Sequence, residues 1–527
     1  MSMKHTADWL KDAVFYEIYP QSFNDTNADG IGDLQGIIEK LDYIKELGCN
    51  ALWLNPCFAS PFGDAGYDVA DYMQIAPRYG TNEDMRRLCE EVHKRDMHIL
   101  LDLVPGHTSI EHPWFKESMQ AYKNEYTDRY IWSDNIWAGF EGMTSIAGSI
   151  RGFSPRNGCC AVNFFSSQPA LNYGFANPTE KWQFAPDSEA ALATREEMKK
   201  VMRFWLDIGC DGFRVDMAGA MVKNDTDSKE TIKLWQDFRA FLDNEYPNAV
   251  LVSEWGEPDK SLEGGFHMDF LLHFGPSHYL DLFRVEEPYF SRRGKGDISE
   301  FMETYMKNYK LTDGKGLICI PSGNHDMPRM AWKLDQEELK VAFAFLLSMP
   351  GVPFIYYGDE IGMRYLEDLV SVEGGYDRTG CRTPMQWDES KNAGFSEAEK
   401  EKLYICQDEA SDRPCVSAQM QEENSLWHEV QRLITFRKEH PALLSFGIFE
   451  PVYVEKDKYP LIYKRTSEEE CIYVVLNPSG ETVNVDDDKI TNVLKNAEMI
   501  YCVHEEASLT DGGLNIPAES ATFFKLA

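Results

Sequence analysis

The chain reads as an α/β protein: a (β/α)8 TIM barrel with an inserted subdomain after strand 3 and a C-terminal antiparallel β-sandwich domain. Three observations carry that reading. Short apolar runs of strand length alternate with segments of helical period along most of the 527 residues. Several of those runs end in an acid or a histidine, and barrel sites lie at the C-terminal ends of strands. After Pro441 the pattern changes to short alternating strands separated by turn residues.

Taken in order, Phe15 to Pro20 reads as the first strand, and Leu34 to Leu47 has helical periodicity that stops at Gly48. Ala51 to Pro56 is the second strand. An acidic helix from Asn82 to Arg95 leads to the third, His98 to Val104. The fourth is Gly212-Phe-Arg-Val-Asp216, and the fifth is Val250-Leu-Val-Ser-Glu254-Trp255. The sixth, His267 to Phe274, is the weakest, because little chain precedes it for a crossover. Leu317 to Ile320 and Val352 to Tyr357 complete eight.

Only the interval between His98 and Gly212 is far too long for one helix. Its first part is rich in aromatics, Gly, Ser and Asn. Spacing therefore assigns residues 1–104 and 173–444 to the barrel, 105–172 to an inserted domain over its mouth, and 445–527 to an all-β domain. Phe153, Phe164 and Phe175 in or beside the insertion read as local core.

Composition narrows the class. The chain has 52 basic against 87 acidic residues, a net charge of −35, which disfavours nucleic acid and anionic membranes as partners. A neutral small molecule is compatible with it. Twelve cysteines are scattered without C-x-x-C or zinc spacing, so neither a disulfide framework nor a zinc site is expected. The first residues lack the apolar core of a signal peptide, and no membrane-length apolar run follows. A reducing cytoplasm is the expected compartment.

Chemistry concentrates at three strand ends. Arg214 and Asp216 are two residues apart and share one face of a strand, so the guanidinium can bond the carboxylate and favour its ionised form. Glu254 ends the next strand, and Gly323-Asn-His-Asp326 follows the seventh. Each acid alone could cap a helix. Three together suit sugar-bond hydrolysis, in which one carboxyl attacks and another protonates the leaving oxygen. His107 and His325 lie at the same rim. Tyr67 and Asp68, in the loop after the second strand, suit stacking and hydroxyl binding.

Asp25-Thr-Asn27-Ala-Asp29-Gly-Ile31-Gly-Asp33 has the oxygen spacing of a calcium loop, with Ile31 offering its carbonyl. Its twelfth position, Gly36, lacks the usual bidentate Glu. A structural Ca2+ held by Asp25, Asn27, Asp29, Ile31 and Asp33 is expected.

The set Gly66-Tyr-Asp68, Asp102…His107, Gly212-Phe-Arg-Val-Asp216, Glu254 and Asn324-His-Asp326 resembles the α-amylase family of glycoside hydrolases, family 13, in the family's order. Gln21-Ser-Phe, Arg382-Thr-Pro-Met-Gln-Trp387, Asn392-Ala-Gly-Phe395 and Arg437-Lys-Glu-His-Pro-Ala-Leu443 resemble its oligo-1,6-glucosidase and trehalose synthase branch. The resemblance implies Asp216 as nucleophile, Glu254 as general acid/base and Asp326 as the third carboxylate. It implies Tyr67, Asp68, His107, Arg214, His325, Arg378 and Arg382 as substrate-binding. It also implies a retaining α-glucosidase acting on a small neutral oligosaccharide without an organic cofactor. A glucosyl-transferring isomerase or transglycosylase, of trehalose synthase or sucrose isomerase type, is the alternative. A catalytically inactive member is a further one, disfavoured because all three acids are present.

Three positions depart from the pattern. Gly106 replaces a common Asn, which weakens an amylase-type calcium site beside the insertion, and Ala170 stands where relatives usually carry Asp. Met217 follows the nucleophile and leaves the choice between α-1,4 and α-1,6 linkages open.

Overall fold

The computed structural model describes residues 7–152 and 154–526. Phe153 therefore lies outside the described residues. Eight strands form one parallel sheet: β1 Phe15–Ile18, β2 Ala51–Leu54, β3 His98–Leu103, β4 Gly212–Val215, β5 Val250–Ser253, β6 Met268–Phe270, β7 Leu317–Cys319 and β8 Phe354–Tyr356. Their order is β7-β6-β5-β4-β3-β2-β1-β8. A parallel bridge between Pro321 and Phe354 closes the circuit between β7 and β8. Every residue of β1, β2, β4 and β5 is buried. Strands of a parallel barrel are covered on both faces, so they read as unbroken apolar runs.

The sixth strand is real, and it bonds to both neighbours. Its crossover is short because a six-residue helix, Pro258–Glu263, makes the return. The segment expected as one helix from Leu34 to Leu47 is two, Leu34–Glu39 and Leu41–Leu47, broken at Lys40 (φ −106°, ψ 3°). Gly48 ends the second in a left-handed turn at φ 106°. The helix at Asn82 ends at His93, two residues before Arg95, and opens with a reciprocal Thr81–Asp84 capping box.

Between β3 and β4 the chain carries a short helix, Pro113–Ser118, and an antiparallel pair, Gly148–Arg151 with Cys159–Val162. This insertion has its own small core, in which Ile131, Phe140 and Phe175 pack with the buried thiol of Cys159. The 20-residue helix Glu189–Ile208 then returns the chain to the barrel.

The C-terminal region holds a five-stranded and a three-stranded antiparallel sheet. Ile462, Val475, Leu514 and Ile516 pack between them. Of two buried arginines near this junction, Arg465 fastens the C-terminal region to the barrel, and Arg437 ties the last barrel helix to the segment before β8. Arg437 donates to the carbonyls of Leu347, Met349 and Gly351. Arg465 donates to those of Ser348 and Leu444. All twelve cysteines are free. Among the described residues, no helix is long and apolar enough to cross a membrane.

Candidate active site

Strand register builds the site. Asp102 on β3 lies opposite Arg214 on β4, and Arg214 lies opposite Val252 on β5. Asp216 follows β4 directly, its amide bonded to the Leu103 carbonyl at 2.9 Å, and the Glu254 amide is bonded to the Val215 carbonyl at 2.9 Å. Met217 then turns the chain at φ 44°, an uncommon conformation for a side chain of its size. That turn aims the Met217 amide at Glu254 Oε2, 3.1 Å away.

One guanidinium serves three acids. Arg214 Nη1 donates to Asp102 Oδ1 at 2.9 Å and to Asp216 Oδ1 at 3.2 Å, while Nη2 pairs with Glu254 Oε2 at 2.9 Å. Asp102 also accepts from the Trp53 indole and the Tyr67 hydroxyl. Burial pushes Asp102 up to about 6 against the pull of Arg214. Asp216 is raised well above the usual carboxylate range, first by burial and then by Glu254, with Arg214 opposing both. The sequence expectation that Arg214 would leave Asp216 readily ionised is therefore corrected. The arginine lowers it, but desolvation and a second carboxyl outweigh one shared guanidinium.

Asp326 behaves oppositely. Burial would raise it, yet His325, Arg382, Arg378 and Arg214 together hold it well below the usual range. Arg382 Nη2 reaches its Oδ1 at 2.9 Å and Arg378 Nη1 at 3.2 Å. Glu373 anchors Arg382 from behind at 2.6 Å. His325 is completely buried, within 3.0 Å of Glu17 and 2.8 Å of the Tyr67 hydroxyl. Burial lowers both His325 and His107 to about 3, so each is a neutral ring at pH 7.

These groups surround a cavity of about 240 Å³. That volume suits one sugar ring rather than a chain. Of the residues expected from sequence, Tyr67, His107, Asp216, Glu254, Asp326 and Arg378 line it. Arg214, His325 and Arg382 stand behind that wall and orient it.

Asp68 is elsewhere. Its carboxylate is consumed by the Ser60 hydroxyl and the amides of Gly63 and Asp64. This staple turns the loop so that Asp64, and not Asp68, faces the cavity. The Gln168 amide holds Asp64 at 2.7 Å, and burial raises Asp64 to about 6. Nothing in the spacing distinguished the two acids.

Phe175 is core, as expected, at 1% exposure. Phe164 is not. It is 42% exposed and lines the cavity, with the Arg378 guanidinium 5.4 Å from its ring centre. Met217, noted from sequence for its bearing on linkage, also lines the cavity, as do His273 and Phe274, which were not singled out as site residues.

Beside Gly106 the space that an Asn side chain would need is filled. A Cβ there would meet the Asn163 amide nitrogen at 2.5 Å. Asn163 in turn accepts from the buried Lys223 amino group at 2.9 Å, whose pKa burial lowers to about 7, so a lysine side chain already fills that corner.

The loop from Asp25 to Asp33 is wound by its own side chains. Asp25 Oδ1 accepts the amides of Asn27 and Ala28, and its Oδ2 accepts the Gly30 amide and the Ser396 hydroxyl. Asn27 and Asp29 repeat the motif two residues on, at 2.9 Å each. Asp33 accepts the Thr26 and Gly36 amides. A side chain at Gly36 would collide with the Asn24 carbonyl, which accounts for the missing twelfth ligand. The donor set is wholly hard oxygen and fits Ca2+ chemically. The loop's carboxylates do not gather within 4.8 Å of one another; among the described residues only His278, Asp281 and Glu300 do so.

Comparison with known proteins agrees with this geometry. The α-amylase catalytic-domain family model matches residues 17–445. An oligo-1,6-glucosidase of Parageobacillus thermoglucosidasius is 33% identical over 542 aligned positions, covering 90% of this chain and 91% of that one. The trehalose synthase/amylase TreS of Mycolicibacterium smegmatis is 33% identical, covering 84% and 78%. Among solved structures, a MutB variant in complex with its substrate sucrose superposes with a TM-score of 0.80 at 26% identity, covering 99% of this chain and 100% of that one.

Proposed function

The chain belongs to the α-amylase family of glycoside hydrolases, and on that footing we propose that it is a retaining α-glucosidase acting on short α-gluco-oligosaccharides. The observation that carries this reading is the bridge from Arg214 to Asp216 and Glu254 at the wall of a cavity for one ring. One guanidinium bonded to both carboxyls holds them side by side at that wall, as a nucleophile and an acid working on one glycosidic bond must be.

In this reading Asp216 is the nucleophile and Glu254 the proton donor. Asp216 attacks the anomeric carbon while Glu254 gives its proton to the departing oxygen. A glucosyl ester on Asp216 results. Glu254, now a base, takes a proton from water, and that water breaks the ester and regenerates both groups. Asp326, held ionised by Arg378 and Arg382, grips ring hydroxyls and favours distortion. Tyr67, Asp64 and His107 shape the ring pocket. Ca2+ bound by Asp25, Asn27, Asp29, the Ile31 carbonyl and Asp33 would stiffen the loop after β1. Free thiols throughout accord with a cytoplasmic location.

A second reading differs only in the acceptor. If a sugar hydroxyl replaces water, the same intermediate yields isomerase or transglycosylase products. Similarity to TreS and to sucrose-bound MutB favours keeping it. Incubating the protein with maltose, isomaltose, sucrose and trehalose and identifying the products separates the two. Free glucose as the main product supports hydrolysis, and a rearranged disaccharide supports transfer. Asp216→Asn should abolish turnover of every substrate with the fold intact; substantial residual activity would refute the assignment.

A further inference from the structure

Two rings of the cavity wall belong to none of the motifs above. His273 and Phe274 lie in the loop after β6, which is across the barrel from β2. Phe274 packs against Gly256, where a Cβ would meet its Cε2 at 2.6 Å. The pair thus stands beside Glu254-Trp255-Gly256, whereas Asp64 and Tyr67 come from the loop after β2. On the mechanism above, Glu254 touches the oxygen that joins the two sugars, so rings on its flank face the departing unit.

His273 Nδ1 is buried and has no hydrogen-bond partner. Burial lowers the ring's basicity, with Asp326 and Glu254 opposing, so at neutral pH it carries one proton. An orphaned buried N–H is rarer and costlier than an under-used lone pair. The proton therefore belongs on Nε2, the nitrogen left open to the cavity that the ring lines.

We propose that His273 is a specificity-determining residue of the leaving-group subsite, its Nε2–H donating to a hydroxyl of the departing sugar. This rests on the glycosidase reading and adds to it a preference for hydroxylated over aryl leaving groups. Phe274 supplies the apolar face beside that donor.

The test uses His273→Phe and His273→Gln in the full-length protein. The substrates are the better cleaved of maltose and isomaltose, and 4-nitrophenyl α-D-glucopyranoside, whose leaving group has no sugar hydroxyl. For H273F, kcat/KM on the disaccharide should fall roughly tenfold or more, while the aryl glucoside stays within about threefold. H273Q, which keeps a donor, should recover part of the loss. The alkaline limb of the pH profile should not move. An equal fall on both substrates, no fall on the disaccharide, or a displaced alkaline limb overturns the proposal. The last would mean that His273 acts through Glu254. Wild-type protein that cleaves neither substrate overturns the glycosidase reading itself, and this inference with it.

Discussion

Arg214 and Glu254, on neighbouring strands, form an ion pair at 2.9 Å in which the arginine side chain is 1% exposed. The same guanidinium also bonds Asp102 and Asp216, so three acids depend on one buried cation. Removing one partner of a buried pair strands the others without compensation. We predict that Arg214→Met lowers stability by roughly 3–5 kcal/mol and abolishes turnover. Urea unfolding followed by circular dichroism measures the first effect. An unchanged midpoint would show that the acids are satisfied without it.

Asp216 makes a second prediction with a definite sign. Its folded-state pKa is raised by burial and by Glu254. Such a group contributes stability at low pH, and the contribution is lost as pH rises through the folded value. At neutral pH its charge is therefore a burden on the fold, and Asp216→Asn should raise Tm by about 2 °C or more at pH 7.5. The gain should shrink as pH is lowered toward 4. Thermal melts of both proteins across pH 4–8 decide it, and a gain independent of pH would point to packing instead.

Phe164 stands exposed at the cavity rim beside Arg378. An aromatic face there offers a platform for a sugar beyond the first. Phe164→Ala should raise KM for disaccharides roughly threefold to tenfold, equivalent to about 0.5–1.5 kcal/mol, with little change in kcat. A fall in kcat alone would place the ring at the reacting sugar.

Asp64 and Asp68 predict different losses. Asp64→Asn removes a cavity-facing carboxylate and should reduce kcat/KM by roughly tenfold or more with Tm unchanged. Asp68→Asn breaks the staple to Ser60, Gly63 and Asp64 and should lower Tm together with activity. Identical behaviour of the two variants would contradict the division of roles.

The Asp25–Asp33 loop gives a test that needs no substrate. Stripping divalent cations with EGTA should lower Tm, and adding Ca2+ at about 100 times its Kd should restore roughly 2.7 kcal/mol of stability. Asp29→Ala should remove that response. Equal melting curves with and without the ion would end the calcium proposal.

Much of this was legible beforehand. The barrel strands could be read because burial on both faces leaves unbroken apolar runs, and their terminal acids stood out against those runs. Even the doubtful sixth strand held, since a crossover needs only a short helix when the strands are adjacent. The helix from Leu34 misled because the break at Lys40 leaves the hydrophobic period almost undisturbed.

The sequence by itself determined the eight strands, their order and the three carboxyls at their ends, because period and burial are properties of short segments. Only the tertiary structure decided which loop side chains meet the cavity. Asp64 displaces Asp68, Phe164 leaves the core and His273 enters the wall through contacts between segments far apart in the chain, such as Gln168 to Asp64. The protonation of Asp216 was decided there too. It reflects a contest between burial, Glu254 and Arg214, and all three must be in place before any of them has a magnitude.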